Sequence, residues 1–225
     1  MNKILCLHGY LMNSHSLQER LSPIEEDLAG IAVFQYLDSP IEVSPEAANA
    51  YIDRIVARKN YNAEERAAFS KQFLPSEGCP RSFWDHGRQG DTVTYGRFDE
   101  SMQTLLEFVQ QNGPFAGIFG FSQGSIVAAL LCHMMESPPF KMAVLCSGPL
   151  PRDHAKRRYI SGKSKVPALT VIGNFDRIVT PEMSLQLAAC FEKSEVVRFD
   201  GGHRVPSADQ EARQSIVDFI KRHLD

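Results

Sequence analysis

Six short apolar runs alternate along this chain with segments whose apolar residues recur at helical spacing. Such alternation predicts an α/β fold, in which a mainly parallel sheet carries helices on both faces, because the crossover between two parallel strands contains a helix. The predicted strands are 3–8, 31–37, 115–121, 141–146, 168–173 and 195–199. Right-handed crossovers give these strands the expected spatial order 2-1-3-4-5-6.

Helical periodicity is found between the strands and at the end of the chain. The predicted helices are 14–28, 101–112, 123–136, 181–192 and 208–224, the last with Ser207 as its N-cap. No repeat or linker divides residues 1–225, so one domain is expected. A segment at about 38–98, called the excursion below, has helical pieces at 46–58 and 64–73 but no clear strand. We expect it to pass over one end of the sheet, where such segments often shape binding sites.

Composition narrows the possible functions. A net charge of −3 and a pI near 6.2 give no field that attracts nucleic acid. The longest apolar run, 126–132, is far shorter than the roughly 20 residues that a membrane span needs. Five cysteines without a CxxC pair, and the lack of a readable signal peptide, predict a cytoplasmic protein with reduced thiols. Five histidines, at positions 15, 86, 133, 154 and 223, share no metal-ligand spacing, so no metal is expected.

The sequence Gly-Phe-Ser-Gln-Gly at 120–124 carries the first chemical signal. It follows a predicted strand and opens a predicted helix, which is the context of a nucleophile elbow, where small neighbours allow a serine to project from a strained turn. A glycine-rich turn that binds phosphate, or that only packs tightly, is the alternative interpretation. The strand-to-helix context favours Ser122 as a nucleophile.

An activated serine requires a base and a group that orients the base. Asp176 comes shortly after the strand at 168–173, and His203 comes shortly after the last strand. The order Ser122, Asp176, His203 is the chain order of the triad in hydrolases with a nucleophile elbow. Asp200 and Asp209 are rival acids, but Asp200 lies too close to the histidine along the chain to be the better partner.

Backbone donors for an oxyanion are expected on both sides of the serine. The N–H of Gln123 opens the helix that follows Ser122, where unpaired N–H groups favour negative charge. The second donor is expected to be the N–H of Tyr10 or of Leu11, in the turn after the first strand. His8, in the same turn, is interpreted as structural.

Several motifs together carry a resemblance that covers nearly the whole chain. They are KILCLHGY at 3–10, Asn13, GPF at 113–115, GFSQG at 120–124, SG at 147–148, PAL at 167–169, Gly173, Asp176 and GGHRVP at 201–206. In these motifs the chain resembles the FSH family of serine hydrolases, a branch of the α/β-hydrolases. The resemblance implies the α/β-hydrolase fold, the triad Ser122, Asp176 and His203, and carboxylesterase-type activity on acyl esters without a cofactor.

The predicted function is therefore a serine hydrolase that cleaves small-molecule acyl esters through an acyl-enzyme on Ser122. An acyl thioesterase is the alternative, since thioesters require the same machinery, and a noncatalytic binding protein of this fold is a further one. Apolar residues of the excursion are candidate walls for an acyl site, foremost Phe73, Phe83 and Trp84. Such a site predicts a preference for medium or long acyl chains over acetyl esters.

Overall fold

The computed structural model describes residues 1–224, which form ten strands and eight helices. In chain order they are β1 (Asn2–Leu7), α1 (Ser14–Asp27), β2 (Ala32–Leu37), β3 (Ile41–Glu42), α2 (Pro45–Lys59), α3 (Ala63–Phe73), β4 (Arg81–Ser82), β5 (Asp85–Gln89), β6 (Thr92–Gly96), α4 (Phe98–Asn112), β7 (Gly117–Phe121), α5 (Gln123–Met134), β8 (Met142–Cys146), α6 (His154–Arg157), β9 (Ala168–Gly173), α7 (Pro181–Ala188), β10 (Ser194–Phe199) and α8 (Gln210–Leu224). None of the helices in this part of the chain combines the length and the apolar character that crossing a bilayer requires.

The main sheet has six strands in the order β2-β1-β7-β8-β9-β10, and each neighbouring pair is parallel. The α/β class and the predicted strand order are confirmed. Buried side chains alternate between two apolar layers, so that Leu5 and Leu7 of β1 face one layer while Ile4 and Cys6 face the other. The first layer includes residues of α4 and α5, and the second includes residues of α1 and α8, which places helices on both faces of the sheet.

The excursion contains four short strands, so the expectation of no strand in this segment was wrong. β3 pairs with β4, and β5 pairs with β6 in a hairpin, both antiparallel. The strand β5 has the sequence DHGRQ, and none of its five residues is buried. A strand without a buried face lacks the alternation of apolar residues on which a prediction from sequence depends.

Contacts of the excursion with the main sheet lie at the carboxyl ends of the parallel strands. The N–H of Leu11, after β1, donates to the carbonyl of Arg81, and the N–H of Arg81 donates to the carbonyl of Met12, both at 3.0 Å. Gln72 of α3 donates to the carbonyl of His203, after β10. Ligands of open parallel sheets bind at this edge.

The last helix begins later than predicted. α8 starts at Gln210, and the carboxylate of Asp209 accepts a hydrogen bond from the N–H of Ala212 at 3.0 Å. Asp209 rather than Ser207 therefore caps this helix, and the cap prediction was wrong. The same contact occupies the carboxylate of one of the two rival acids.

Candidate active site

Ser122 lies in the sharp turn between β7 and α5. All five residues of β7 are buried, so the strand is fixed from both faces before it reaches the turn. The backbone of Ser122 has φ 54° and ψ −111°, a conformation that residues other than glycine adopt rarely, and its N–H donates to the carbonyl of Cys146 at 2.9 Å. A strained residue held by its neighbours is typical of a functional turn.

Close backbone packing explains the second glycine of the GxSxG sequence. A Cβ atom on Gly124 would lie 2.0 Å from the carbonyl oxygen of Leu7 and 2.7 Å from that of His8. Only glycine therefore allows the first turn of α5 to lie against the end of β1. This contact brings the loop after β1 close to Ser122.

Three side chains from three loops meet at this edge of the sheet. The Nε2 atom of His203 is 2.9 Å from the Oγ atom of Ser122, and its Nδ1 atom is 2.7 Å from Oδ2 of Asp176. Asp176 is 4% exposed and His203 is 5% exposed, so their hydrogen bond is shielded from water. A serine, an imidazole and a carboxylate in this order can move a proton from the hydroxyl to the ring.

The carboxylate of Asp176 is surrounded by donors. Burial by itself raises its pKa, but the hydrogen bond to His203 and the N–H groups of Val179 and Ile178, each 2.9 Å from Oδ1, hold that pKa below its ordinary value. Asp176 is therefore ionised at neutral pH. An ionised partner at Nδ1 keeps the proton of the neutral ring on that nitrogen and leaves Nε2 free to accept one. Asp200, the other rival acid, accepts a hydrogen bond from Asn174 instead.

The ring of His203 lies between two phenylalanine rings. Phe73 of α3 stacks on it at a centroid distance of 5.7 Å, and Phe121 of β7 contacts it at 5.1 Å. Phe73 was a predicted wall of the substrate site, and its ring lies against the histidine. The backbone carbonyl of the same histidine accepts from Gln72. No pattern in the sequence pointed to Gln72, because a glutamine on an amphipathic helix has no distinctive spacing.

Two backbone donors remain candidates for an oxyanion site. The N–H of Gln123 is the first of α5, and the first N–H groups of a helix have no acceptor within the helix. The N–H of Leu11 is occupied by the carbonyl of Arg81 at 3.0 Å, so Leu11 is not available as the second donor. Of the two predicted alternatives this leaves Tyr10, whose N–H has no protein acceptor within residues 1–224.

The side chain of Gln123 connects the turn to the excursion, a role that the sequence did not reveal. Its Oε1 accepts from the N–H of Phe83 at 3.1 Å, and its Nε2 donates to the hydroxyl of Ser82 at 3.1 Å. Gln123 is only 4% exposed. The residue next to the serine thus fixes the segment that bounds the site.

His8 makes a similar connection from the loop after β1. Its Nε2 atom accepts from the N–H of Ser39 at 3.0 Å, and its Nδ1 atom lies 2.8 Å from the carbonyl oxygen of Gly9. Complete burial lowers the pKa of His8 to about 4, so the ring is neutral at pH 7. With both nitrogens engaged, His8 has a structural role, as the sequence predicted.

A cavity of about 450 Å³ lies beside Ser82, the residue to which the side chain of Gln123 donates. Its lining includes Tyr10, Ala47, Tyr51, Trp84 and His86. The ring of Tyr10 packs edge-on against His86 at 4.4 Å and against Tyr51 at 4.8 Å. We call this the aromatic cavity.

The other two predicted wall residues have different positions. Trp84 is 1% exposed and stacks on Tyr95 at 4.2 Å, so it belongs to the apolar core although it also lines the aromatic cavity. Phe83 is 0% exposed and lies in the apolar core, and its assignment as a pocket wall was wrong. The direction of these side chains could not be predicted, because β4 ends at Ser82 and both Phe83 and Trp84 are buried, which breaks the alternation of a strand.

Residues 1–224 contain no group of three or more His, Cys, Asp or Glu side chains arranged to hold a metal ion. Comparison with protein families finds a match to residues 1–215, over most of the chain, by the family described as "Serine hydrolase (FSH1)". The chain belongs to this family. It is therefore a serine hydrolase, and the resemblance predicted from its motifs is confirmed.

Relatives of this serine hydrolase carry related descriptions. It is 29% identical to "Esterase OVCA2" of Danio rerio, over 98% of this chain and 96% of that protein. Among solved structures, it is similar to esterase PE8, with a TM-score of 0.63, 17% identity, and coverage of 99% of this chain and 92% of the other. It is also similar to Zea mays acyl-protein thioesterase 2, with a TM-score of 0.61, 16% identity, and coverage of 100% and 94%. The likeness to these structures shows a shared α/β-hydrolase fold.

Proposed function

We propose that this serine hydrolase cleaves carboxylic esters through an acyl-enzyme on Ser122. The observation that carries the proposal is the pair of contacts of His203, at 2.9 Å to the serine hydroxyl and at 2.7 Å to Asp176. The hydroxyl oxygen attacks the ester carbonyl while Nε2 of His203 takes its proton. The same proton then passes to the departing alcohol.

Asp176 orients His203 and stabilises the positive charge that the ring acquires. Its two backbone donors and its depressed pKa support this role, because a carboxylate that stays ionised is a better partner for an imidazolium. The N–H groups of Gln123 and Tyr10 stabilise the oxyanion. Water, deprotonated by the same histidine, attacks the acyl-enzyme, releases the acid and restores the serine.

The aromatic cavity is proposed to hold the acyl chain. Tyr10, the proposed second oxyanion donor, also lines this cavity, which supports placing the acyl chain there. Each methylene group buried there contributes about 0.8 kcal/mol. Medium acyl chains are therefore preferred over acetyl groups.

The nucleophile is tested with the Ser122→Ala variant and a fluorophosphonate probe. We expect the variant to keep the wild-type melting temperature, to lose labelling, and to lose kcat by about 10⁴-fold or more on a p-nitrophenyl ester. Asp176→Asn serves as a comparison that retains the serine. Labelling of another serine in the Ser122→Ala variant would overturn the assignment.

The acyl site is tested with p-nitrophenyl esters of two to twelve carbons. Ala47 is exposed on α2 and lines the aromatic cavity, so Ala47→Leu fills it without a cost to the core. We expect kcat/KM to rise with chain length in the wild type and to peak at a shorter chain in the variant. Asn49→Leu, on an exposed position of the same helix outside the cavity lining, is the matched control. An identical profile in Ala47→Leu would place the acyl chain elsewhere.

A further inference from the structure

A second cavity, of about 340 Å³, adjoins the aromatic cavity and is lined by four arginines, Arg54, Arg58, Arg88 and Arg152. We call it the arginine cavity. Arg54 and Arg58 come from α2, Arg88 comes from β5, and Arg152 comes from the segment after β8. Cationic side chains from three separate parts of the chain therefore converge on one concave surface.

These positive charges are not neutralised within the structure. None of the residues that line the arginine cavity is Asp or Glu, and none of its four arginines forms an ion pair within residues 1–224. The whole chain, in contrast, has a net charge of −3. Four guanidinium groups without an ionic partner, all facing one concave surface, favour the binding of an anion.

Three carboxylates that are adjacent in sequence to residues of the arginine cavity are engaged elsewhere. Asp53, next to Arg54, pairs with Arg66 at 2.7 Å, and Asp85, next to His86, pairs with Arg97 at 2.7 Å. Asp153, next to Arg152, accepts the N–H of Tyr95 at 2.9 Å and those of two residues of its own turn. Each of these three carboxylates therefore has a structural partner outside the arginine cavity or in its own turn.

The field of the arginines reaches the neighbouring rings. His86 keeps part of its surface in solvent, but its ring packs against Tyr10 and Trp84. The desolvation of the ring, together with the charges of Arg54 and Arg152, lowers its pKa to about 4. The same two arginines act to lower the pKa of Tyr51, against the larger opposite effect of burial. His86 is therefore neutral at pH 7 and adds a hydrogen-bonding group without a further charge.

The arginine cavity shares part of its wall with the aromatic cavity. Tyr51, Arg54 and His86 line both cavities. The Nε2 atom of His86 lies 3.4 Å from Nε2 of Gln123, the residue that follows Ser122. A substrate that extends from the serine along the aromatic cavity therefore arrives among the arginines.

We propose that the arginine cavity is a specificity site, which binds a carboxylate or phosphate at the far end of a substrate whose ester carbonyl lies at Ser122. The planar guanidinium group donates two parallel hydrogen bonds to such oxyanions, and this is the geometry for which arginine is suited. This inference rests on the proposed ester hydrolysis and names its substrate class as anionic esters.

Two matched substrate pairs test the proposal and locate the anion. On the acyl side, the mono-p-nitrophenyl ester of suberic acid is compared with p-nitrophenyl octanoate. On the leaving-group side, octanoyl-coenzyme A is compared with the neutral octanoyl thioester of N-acetylcysteamine. We expect kcat/KM to favour the anionic member by about tenfold or more in one pair, from charge-assisted hydrogen bonds, and that pair shows which part of the substrate enters the cavity.

Arginine substitutions then connect that preference to the cavity. Arg58→Gln/Arg152→Gln removes two of the four charges at exposed positions outside the lining of the aromatic cavity. In this variant we expect the ratio of kcat/KM for the anionic substrate to that for the neutral one to fall about tenfold. In the wild type the same ratio should fall as the salt concentration is raised. Arg213→Gln/Arg222→Gln on α8 removes the same charge elsewhere and should leave the preference unchanged.

A wild-type kcat/KM ratio of anionic to neutral substrate near one in both pairs would overturn the proposal. So would a ratio that is the same in Arg58→Gln/Arg152→Gln as in the wild type. Both outcomes differ from a failure of ester hydrolysis itself. Cleavage of the neutral p-nitrophenyl octanoate by the wild type, and its loss in Ser122→Ala, tests the proposed function without any contribution from the arginines.

Discussion

The strands β9 and β5 differ in what surrounds them. All six residues of β9 are buried between two layers of helices, whereas none of the five in β5 is buried. β9 leads to Asp176, which takes part in the proposed chemistry, and β5 carries His86 and Arg88, which line the proposed binding cavities. On the proposed assignments, the main sheet fixes the reacting groups and the excursion shapes what reaches them.

If this division holds, the largest effect on catalysis follows a change in a loop of the main sheet. Asp176→Asn should lower kcat by about 10³ to 10⁴-fold, because an amide at this position favours the wrong tautomer of His203. Asp200→Asn, in the neighbouring loop, is the matched control and should stay within about threefold of wild type, because its carboxylate accepts a hydrogen bond from Asn174 instead of holding His203. Steady-state kinetics of the two variants on one ester measure the difference. Comparable losses in both would mean that the acid is shared or misassigned.

The second prediction contrasts two glycines. Gly124→Ala places a Cβ 2.0 Å from the backbone carbonyl oxygen of Leu7, which cannot move aside as a flexible side chain could. The substitution should therefore lower the free energy of unfolding by about 3 to 4 kcal/mol. Gly90→Ala, at the tip of the β5–β6 hairpin, has φ 60° and nothing within 4 Å of the added atom, so only strain of about 1 kcal/mol is expected. Urea denaturation gives both values. Equal costs would show that the turn after Ser122 is as tolerant as the hairpin.

A third prediction concerns His8, where the two regions meet. Its folded pKa of about 4 lies below the ordinary 6.5, so the unfolded state binds more protons between these values. The stability from His8 is complete above pH 6.5 and is lost as the pH falls towards 4, by about 3 kcal/mol. The pKa of His86 is lowered as well, so His86 also makes the protein less stable as the pH falls, but it lines the two cavities rather than joining the two regions.

Urea denaturation of the wild type and His8→Gln from pH 7.5 to pH 4 isolates this contribution, because glutamine keeps an acceptor for the N–H of Ser39 but does not titrate. The wild type should lose more stability over this range than the variant. Parallel curves would remove His8 as the origin of acid sensitivity.

The smallest effect is expected at an ion pair within the excursion. Arg97 and Asp85 are about half exposed, at 49% and 52%, so Arg97→Gln should change the free energy of unfolding by less than about 1 kcal/mol. Thermal denaturation at low and high salt measures it. A change above about 2 kcal/mol would indicate that the excursion depends on this pair rather than on its aromatic packing.

The order of the six main strands and the positions of Ser122, Asp176 and His203 at their carboxyl ends could be predicted from the sequence. Buried strands appear in the sequence as short apolar runs, and amphipathic helices appear as apolar residues at helical spacing. The candidate catalytic residues follow the ends of these strands within a few positions. The excursion could be predicted as a segment, but β5, with its exposed polar residues, has no such period.

Contacts between distant residues were decided only by the tertiary structure. The N–H of Leu11 is bonded to Arg81, the side chain of Gln123 holds Phe83, and four arginines from separate elements surround one cavity. A sequence records which residues are apolar and where elements begin, because those properties are local. It does not record which polar groups meet across 40 or more residues, since that depends on how the finished layers pack.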